Sequence, residues 1–130
     1  MTGINDRHWP ITTDLGALRG HVYSHAAMAG LSGERLDNLL IAANEAAINV
    51  LEHGGGHGTL SMRRDGSYLT VEVADSVGKL SPQDALRSRP ATGASRGFGL
   101  WLMGELCDQV DIHQDDEGSR VCLSMRLNGP

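Results

Sequence analysis

Between Leu36 and Leu51 the apolar residues return at helical spacing. At about 100° per residue, Leu36, Leu39, Leu40, Ala43, Ala47, Val50 and Leu51 make one broad apolar stripe, and Asn38, Glu45, Asn49 and Glu52 fall opposite it. Ile41 and Ile48 flank Glu45, which makes the polar side as much a pocket wall as a solvated face. Ser32 is expected to cap this helix, and His53-Gly54-Gly55-Gly56-His57-Gly58 ends it, because successive glycines cannot continue a helix. An earlier helix carries Leu15, Leu18, Val22 and Ala26 on one side, with Thr13 or Asp14 as N-cap and a stop near Gly30. A short extended piece around Trp9-Pro10-Ile11 precedes it. Downstream the period changes to two: residues 59–64 and 68–74 alternate as strands joined by Asp65-Gly66, a hairpin signal. A helix over 100–107, a strand near Val110 and Ile112 and a turn at Asp115-Asp116-Glu117-Gly118 follow. The final strand turns Val121, Leu123, Met125 and Leu127 inward. Antiparallel strands with helices on one face predict an α+β fold, a two-layer sandwich.

Composition narrows the function classes. A chain of 130 residues, 40% hydrophobic and 21% charged, suits one globular domain over 1–130 with a real core. The net charge of −5 argues against a nucleic-acid partner, which favours a basic face. The opening residues lack the apolar core of a signal peptide, and no apolar run approaches the roughly eighteen residues of a membrane span; a soluble, cytoplasmic protein is expected, with no membrane partner. Cys107, expected in a helix, and Cys122, expected in a strand, form no C-x-x-C pair and read as reduced and structural. Three glycines separate His53 from His57, so the two share no helical face and do not make a zinc site.

Three segments carry candidate chemistry. Glu45 and Asn49, four residues apart, place a carboxylate and a carboxamide on one helical face. The second strand delivers Asp75 to the loop Ser76-Val77-Gly78. Gly93-Ala94-Ser95-Arg96-Gly97-Phe98-Gly99 then runs into Leu100-Trp101-Leu102-Met103, where glycines allow close backbone approach and the free N–H groups of a helix start suit phosphate. Between Gly78 and Gly97 lies a long segment with Pro82, Pro90, Arg87, Arg89 and Arg96. It reads either as a lid whose guanidinium groups grip phosphate or as a solvated loop with a short helix around residues 81–86.

In this order the segments resemble the ATP-binding superfamily shared by gyrase, heat-shock chaperones, histidine kinases and MutL, the GHKL group. More closely the chain resembles the short anti-sigma factor serine/threonine kinases of the RsbW and SpoIIAB type. The strongest likeness lies in Asn44-Glu45-Ala46-Ala47-Ile48-Asn49-Val50-Leu51-Glu52-His53-Gly54 and in Arg96-Gly97-Phe98-Gly99-Leu100-Trp101-Leu102-Met103. The resemblance implies a Bergerat-type fold binding ATP and Mg²⁺, with an N-terminal tail over 1–8 and an ATP lid over about 79–96. It implies Glu45 as general base, Asn49 as protein ligand to the metal and Asp75 as acceptor for the adenine amino group. His53, Gly78, Arg96, Gly97, Gly99 and Leu100 would complete the nucleotide site. Implied partners are a sigma factor, a small anti-anti-sigma protein of STAS type as phosphoacceptor, and a second copy of the chain joined through residues near Trp9 to Val22. His21 and His25 lack the following acid of a sensor kinase's phosphoacceptor.

The middle box departs from the pattern. The family places glycines at the second and fourth positions after its Asp, where this chain has Val77 and Lys79, with a glycine displaced to Gly78. Val77 is expected to narrow the adenine pocket or to force the loop outward. A second reading follows from the altered loop: a module without chemistry that acts by sequestering its partner.

Overall fold

A computed structural model describes residues 7–86 and 98–127. These form β1 (Arg7–Ile11), α1 (Leu15–Met28), α2 (Gly33–His53), β2 (Gly58–Asp65), β3 (Tyr68–Asp75), a 3₁₀ helix (Pro82–Leu86), α3 (Phe98–Leu106), β4 (Gln109–Asp115) and β5 (Gly118–Arg126). The strands make one five-stranded sheet in the order β1-β2-β3-β5-β4, antiparallel throughout. Pro10 lacks an amide hydrogen, and its strand lies at the sheet edge, where a missing donor costs least.

Register puts the alternating apolar residues on one face. Leu60 faces Val73, Met62 faces Val71, Val71 faces Leu123 and Ile112 faces Val121. All of these are buried, together with Leu18, Val22 and Ala26 of α1 and Leu36, Leu39, Ala43, Ala47 and Val50 of α2. Each large side chain so buried contributes roughly 1.5–3 kcal/mol by leaving water. Leu40 and Leu51 pack against this core from its margin, as the stripe predicts. On the opposite face Thr70 and Ser124 hydroxyls lie 2.9 Å apart and Arg63 reaches Glu72 at 3.5 Å. The result is the expected α+β two-layer sandwich.

Asp14, one of the two expected caps, begins α1 by accepting from the Ala17 amide at 3.1 Å. Local details differ from the sequence pattern in three places. Ser32 occupies the cap position of α2, but the chain enters the helix through Gly33 at φ +61° and the Ser32 hydroxyl makes no cap bond. Cys107 lies just beyond α3, and β5 ends at Arg126, leaving Leu127 in a turn. Burial pushes the Cys107 thiol up to about 12 and the Cys122 thiol up to about 11, which keeps both protonated and unreactive.

Two long-range locks position the helices. Arg35, near the start of α2, donates to Asp108 Oδ2 and to the Arg126 carbonyl, both at 2.6 Å. The hydrogen-bonded guanidinium, with help from the Arg126 amide, holds the Asp108 carboxyl below the usual carboxylate range. Trp9 of β1 stacks on His21 at 4.9 Å between centroids and meets His25 edge-on at 5.0 Å, which ties the edge strand to α1.

Candidate functional site

A cavity of about 450 Å³ opens between the last half of α2, the end of β3 and the start of α3. Its floor is apolar, from Val50, Val73 and Val121; its polar groups come from Glu45, Asn49, Glu52, His53, Asp75 and Lys79, and Ile48, Leu80, Phe98, Gly99 and Leu100 line it as well. An apolar cleft with a few convergent polar groups is the usual form of a small-molecule site.

The two chemical groups of α2 stand free in this cleft. Glu45 and Asn49 are half-buried, and neither side chain makes a hydrogen bond or ion pair among the described residues. Ile48, beside Glu45, lines the wall, as the pattern predicts; Ile41 instead is exposed and does not line the cavity. The first turn of α3 faces them: a Cβ on Gly99 would lie 3.9 Å from Asn49 Nδ2 and 3.9 Å from Glu45 Oε1. A helix N-terminus, with its unpaired amides and positive dipole end, thus meets a carboxylate and a carboxamide across the same space.

Asp75 is held at the other side of the cavity by three glycines. Gly54 closes α2 by donating to the Val50 carbonyl at 2.9 Å, and a Cβ there would come within 3.1 Å of Asp75 Cβ and Cγ. Gly118, at φ +131°, lets β5 pass so close that a Cβ would collide with the Asp75 carbonyl oxygen. Gly78 turns at φ +76° against Gly118. Asp75 Oδ1 accepts from the Val77 and Gly78 amides, each at 2.9 Å, which fixes the carboxylate plane. Its Oδ2 has no hydrogen bond among the described residues and is available to a donor in the cavity.

The structure therefore gathers Glu45, Asn49, His53, Asp75, Gly99 and Leu100 around one cavity. Gly78 acts one step back, as an amide donor to Asp75. Arg96 and Gly97, like Arg87 and Arg89, lie outside the described residues; the root of the segment between Gly78 and Gly97 contains the short helix, Pro82–Leu86. Glu52 lies seven residues after Glu45 on the same face, so its place at the cavity was visible in the helical period. Phe98 stands in the glycine box beside Gly99, whereas Leu80, Val73 and Val121 come from other elements and no local pattern points to them as cavity residues.

Val77 does not narrow this cavity. Its side chain is exposed and lies over Gly55, with Cγ2 2.7 Å from where a Gly55 Cβ would stand. Val77→Gly keeps the amide that bonds Asp75 and removes only this outer contact. Ligand affinity is therefore expected to stay level or to weaken slightly, by up to roughly 1 kcal/mol of added loop freedom. A tenfold tightening on titration would show that Val77 obstructs the site after all.

The donor set suits a metal that is held mainly by its ligand. Among the described residues no group of three His, Cys, Asp or Glu side chains gathers for a metal ion. One carboxamide, that of Asn49, fits Mg²⁺, which usually takes one or two protein ligands beside phosphate oxygens and water. His53 is exposed at the mouth, its Nε2 4.0 Å from Glu52 Oε1. No described helix is long and apolar enough to cross a membrane.

Comparison with protein families matches residues 10–125 to the histidine kinase-like ATPase domain. No match emerges among curated proteins.

Proposed function

This chain belongs to the histidine kinase-like ATPase domain family, and from that premise we propose that it binds ATP with Mg²⁺ and acts as an anti-sigma regulatory kinase. The observation that carries the reading is the meeting of Glu45, Asn49 and the α3 N-terminus in the same cavity as Asp75. Asp75 Oδ2 accepts from the adenine amino group, with Oδ1 locked by the Val77 and Gly78 amides. Asn49 would hold Mg²⁺ through its amide oxygen, and the ion would supply positive charge to offset that of the phosphates. Glu45 accepts the proton of an incoming Ser or Thr hydroxyl. As the new oxygen–phosphorus bond forms to the γ-phosphate, the β–γ bridging bond breaks and ADP leaves.

The partners follow from the resemblance to RsbW and SpoIIAB: a sigma factor held in sequestration, a STAS-type anti-anti-sigma protein as phosphoacceptor, and a homodimer built through β1 and α1. Light scattering that reads a monomer at working concentration would remove the dimer. Incubation with γ-labelled ATP, Mg²⁺ and a STAS-type partner tests the kinase. Label on a partner serine or threonine supports it. ATP binding without transfer leaves the sequestering module. Loss of both removes the nucleotide reading.

Asn49→Ala is expected to weaken Mg²⁺-dependent ATP binding by about tenfold or more while leaving Mg²⁺-independent binding of adenosine unchanged, because one ligand to the metal is lost. Calorimetry with and without Mg²⁺ reads this directly, and an equal loss for adenosine would assign Asn49 to the fold instead.

A further inference from the structure

We propose that Lys79 is the phosphate-recognising cation of this cavity, a contact that the family's glycine at this position could not make; the inference rests on the nucleotide reading above. The cavity presents three carboxylates, Glu45, Glu52 and Asp75, to a ligand that is itself a polyanion. Among the described lining residues Lys79 is the one lysine or arginine, and it is also the chain's single lysine beside ten arginines. Unlike charges set against a carboxylate-rich wall are what an anionic ligand needs in order to enter.

The backbone on either side of Lys79 is pinned while its side chain is not. The Gly78 carbonyl accepts from Gln114 Nε2 at 2.6 Å, and the Leu80 carbonyl accepts from the buried Ser119 hydroxyl at 2.6 Å. Both anchors sit on the β4–β5 hairpin, so the Cα of Lys79 keeps a fixed place at the cavity wall. The side chain is exposed and forms no ion pair among the described residues. Its four-carbon stem and strongly hydrated ammonium suit a phosphate oxygen better than the neutral face of a base, since a compact point charge yields its water only to a comparable anion. The amino group of the base already has its acceptor in Asp75. Lys79 thus makes affinity grow with the number of phosphates.

Calorimetry of Lys79→Met against ATP, ADP and adenosine tests this with the wild type in parallel. The expected result is a loss of about tenfold for ATP at low salt, a smaller loss for ADP and none for adenosine. The ATP difference should shrink toward 1 M salt, where the screening length falls to about 3 Å, and Lys79→Arg should keep most of the affinity. Equal affinities of variant and wild type for all three ligands overturn the role of Lys79 alone, as does an equal loss for adenosine. A wild type that binds none of the three overturns the nucleotide reading and this inference with it. Because Lys79 is exposed, an unchanged thermal melt is expected for both variants, and a large fall in Tm would mean that the side chain is structural.

Discussion

Gly118→Ala is expected to destabilise the fold by about 3 kcal/mol or more and to abolish ligand binding in whatever fraction stays folded. The Ala would have to adopt φ near +131°, where an L side chain is strained, and its Cβ would strike the Asp75 carbonyl oxygen and come within 2.8 Å of Asp75 C and 2.7 Å of Ser76 Cα. These are backbone atoms at and just past the end of a central strand, so no rotamer change relieves the contact. If β5 shifts away, the register that pairs Asp75 with Ser119 is lost, and with it the anchor that Ser119 gives the Leu80 carbonyl. For a chain of this length the cost corresponds to a fall in Tm of roughly 10 °C or more. Gly104→Ala is the matching control: it lies on α3 with nothing within 4 Å of its added Cβ, and it should be neutral or stabilising by up to about 1 kcal/mol. Equal melting temperatures for Gly118→Ala and wild type would show that the strand end is not packed as described.

If the chain is the kinase proposed above, Glu45→Ala is expected to slow phosphoryl transfer by about 10²–10⁴-fold while changing ATP affinity by no more than about threefold. A base acts as the proton leaves the hydroxyl in the transition state, so its removal is felt in the rate and little in ground-state binding. Glu45 makes no hydrogen bond or ion pair among the described residues, so folding should not suffer. The contrast with Asn49→Ala is the informative part: two residues one turn apart on the same wall should fail in different quantities. Single-turnover transfer and calorimetry on the two variants separate them. If Glu45→Ala instead loses binding to the same degree as Asn49→Ala and keeps its single-turnover rate, Glu45 is a ligand-positioning group and the base lies elsewhere.

Much of this site was legible in the sequence because its parts are local. The helical period placed Glu45, Asn49 and Glu52 on one face opposite Leu36, Leu39, Ala43 and Val50, since a fixed angle per residue converts spacing into direction. Alternation over 68–74 carried Asp75 to a strand end, and glycines before Leu100 placed a helix start; each reading uses only neighbours in the chain. The α+β sandwich followed because each element had one apolar face and strands of period two could only share a sheet.

Spacing along the chain was enough to set the elements, the face each one buries and the candidate groups on α2, β3 and α3. The tertiary structure alone decided how they meet. It placed β5 between β3 and β4, so that Gly118 lies against Asp75 and Gly54 closes from the other side, contacts whose partners are tens of residues apart. It turned Val77 outward over Gly55 and left Lys79 on the cavity wall between two pinned carbonyls, where the departure from the family pattern alone could not say which of the two residues would line the cavity. The physical reason is that spacing along a chain fixes direction within one helix or strand. Distances between elements depend on side-chain volume and sheet register across the whole core, and those exist only once the chain has folded.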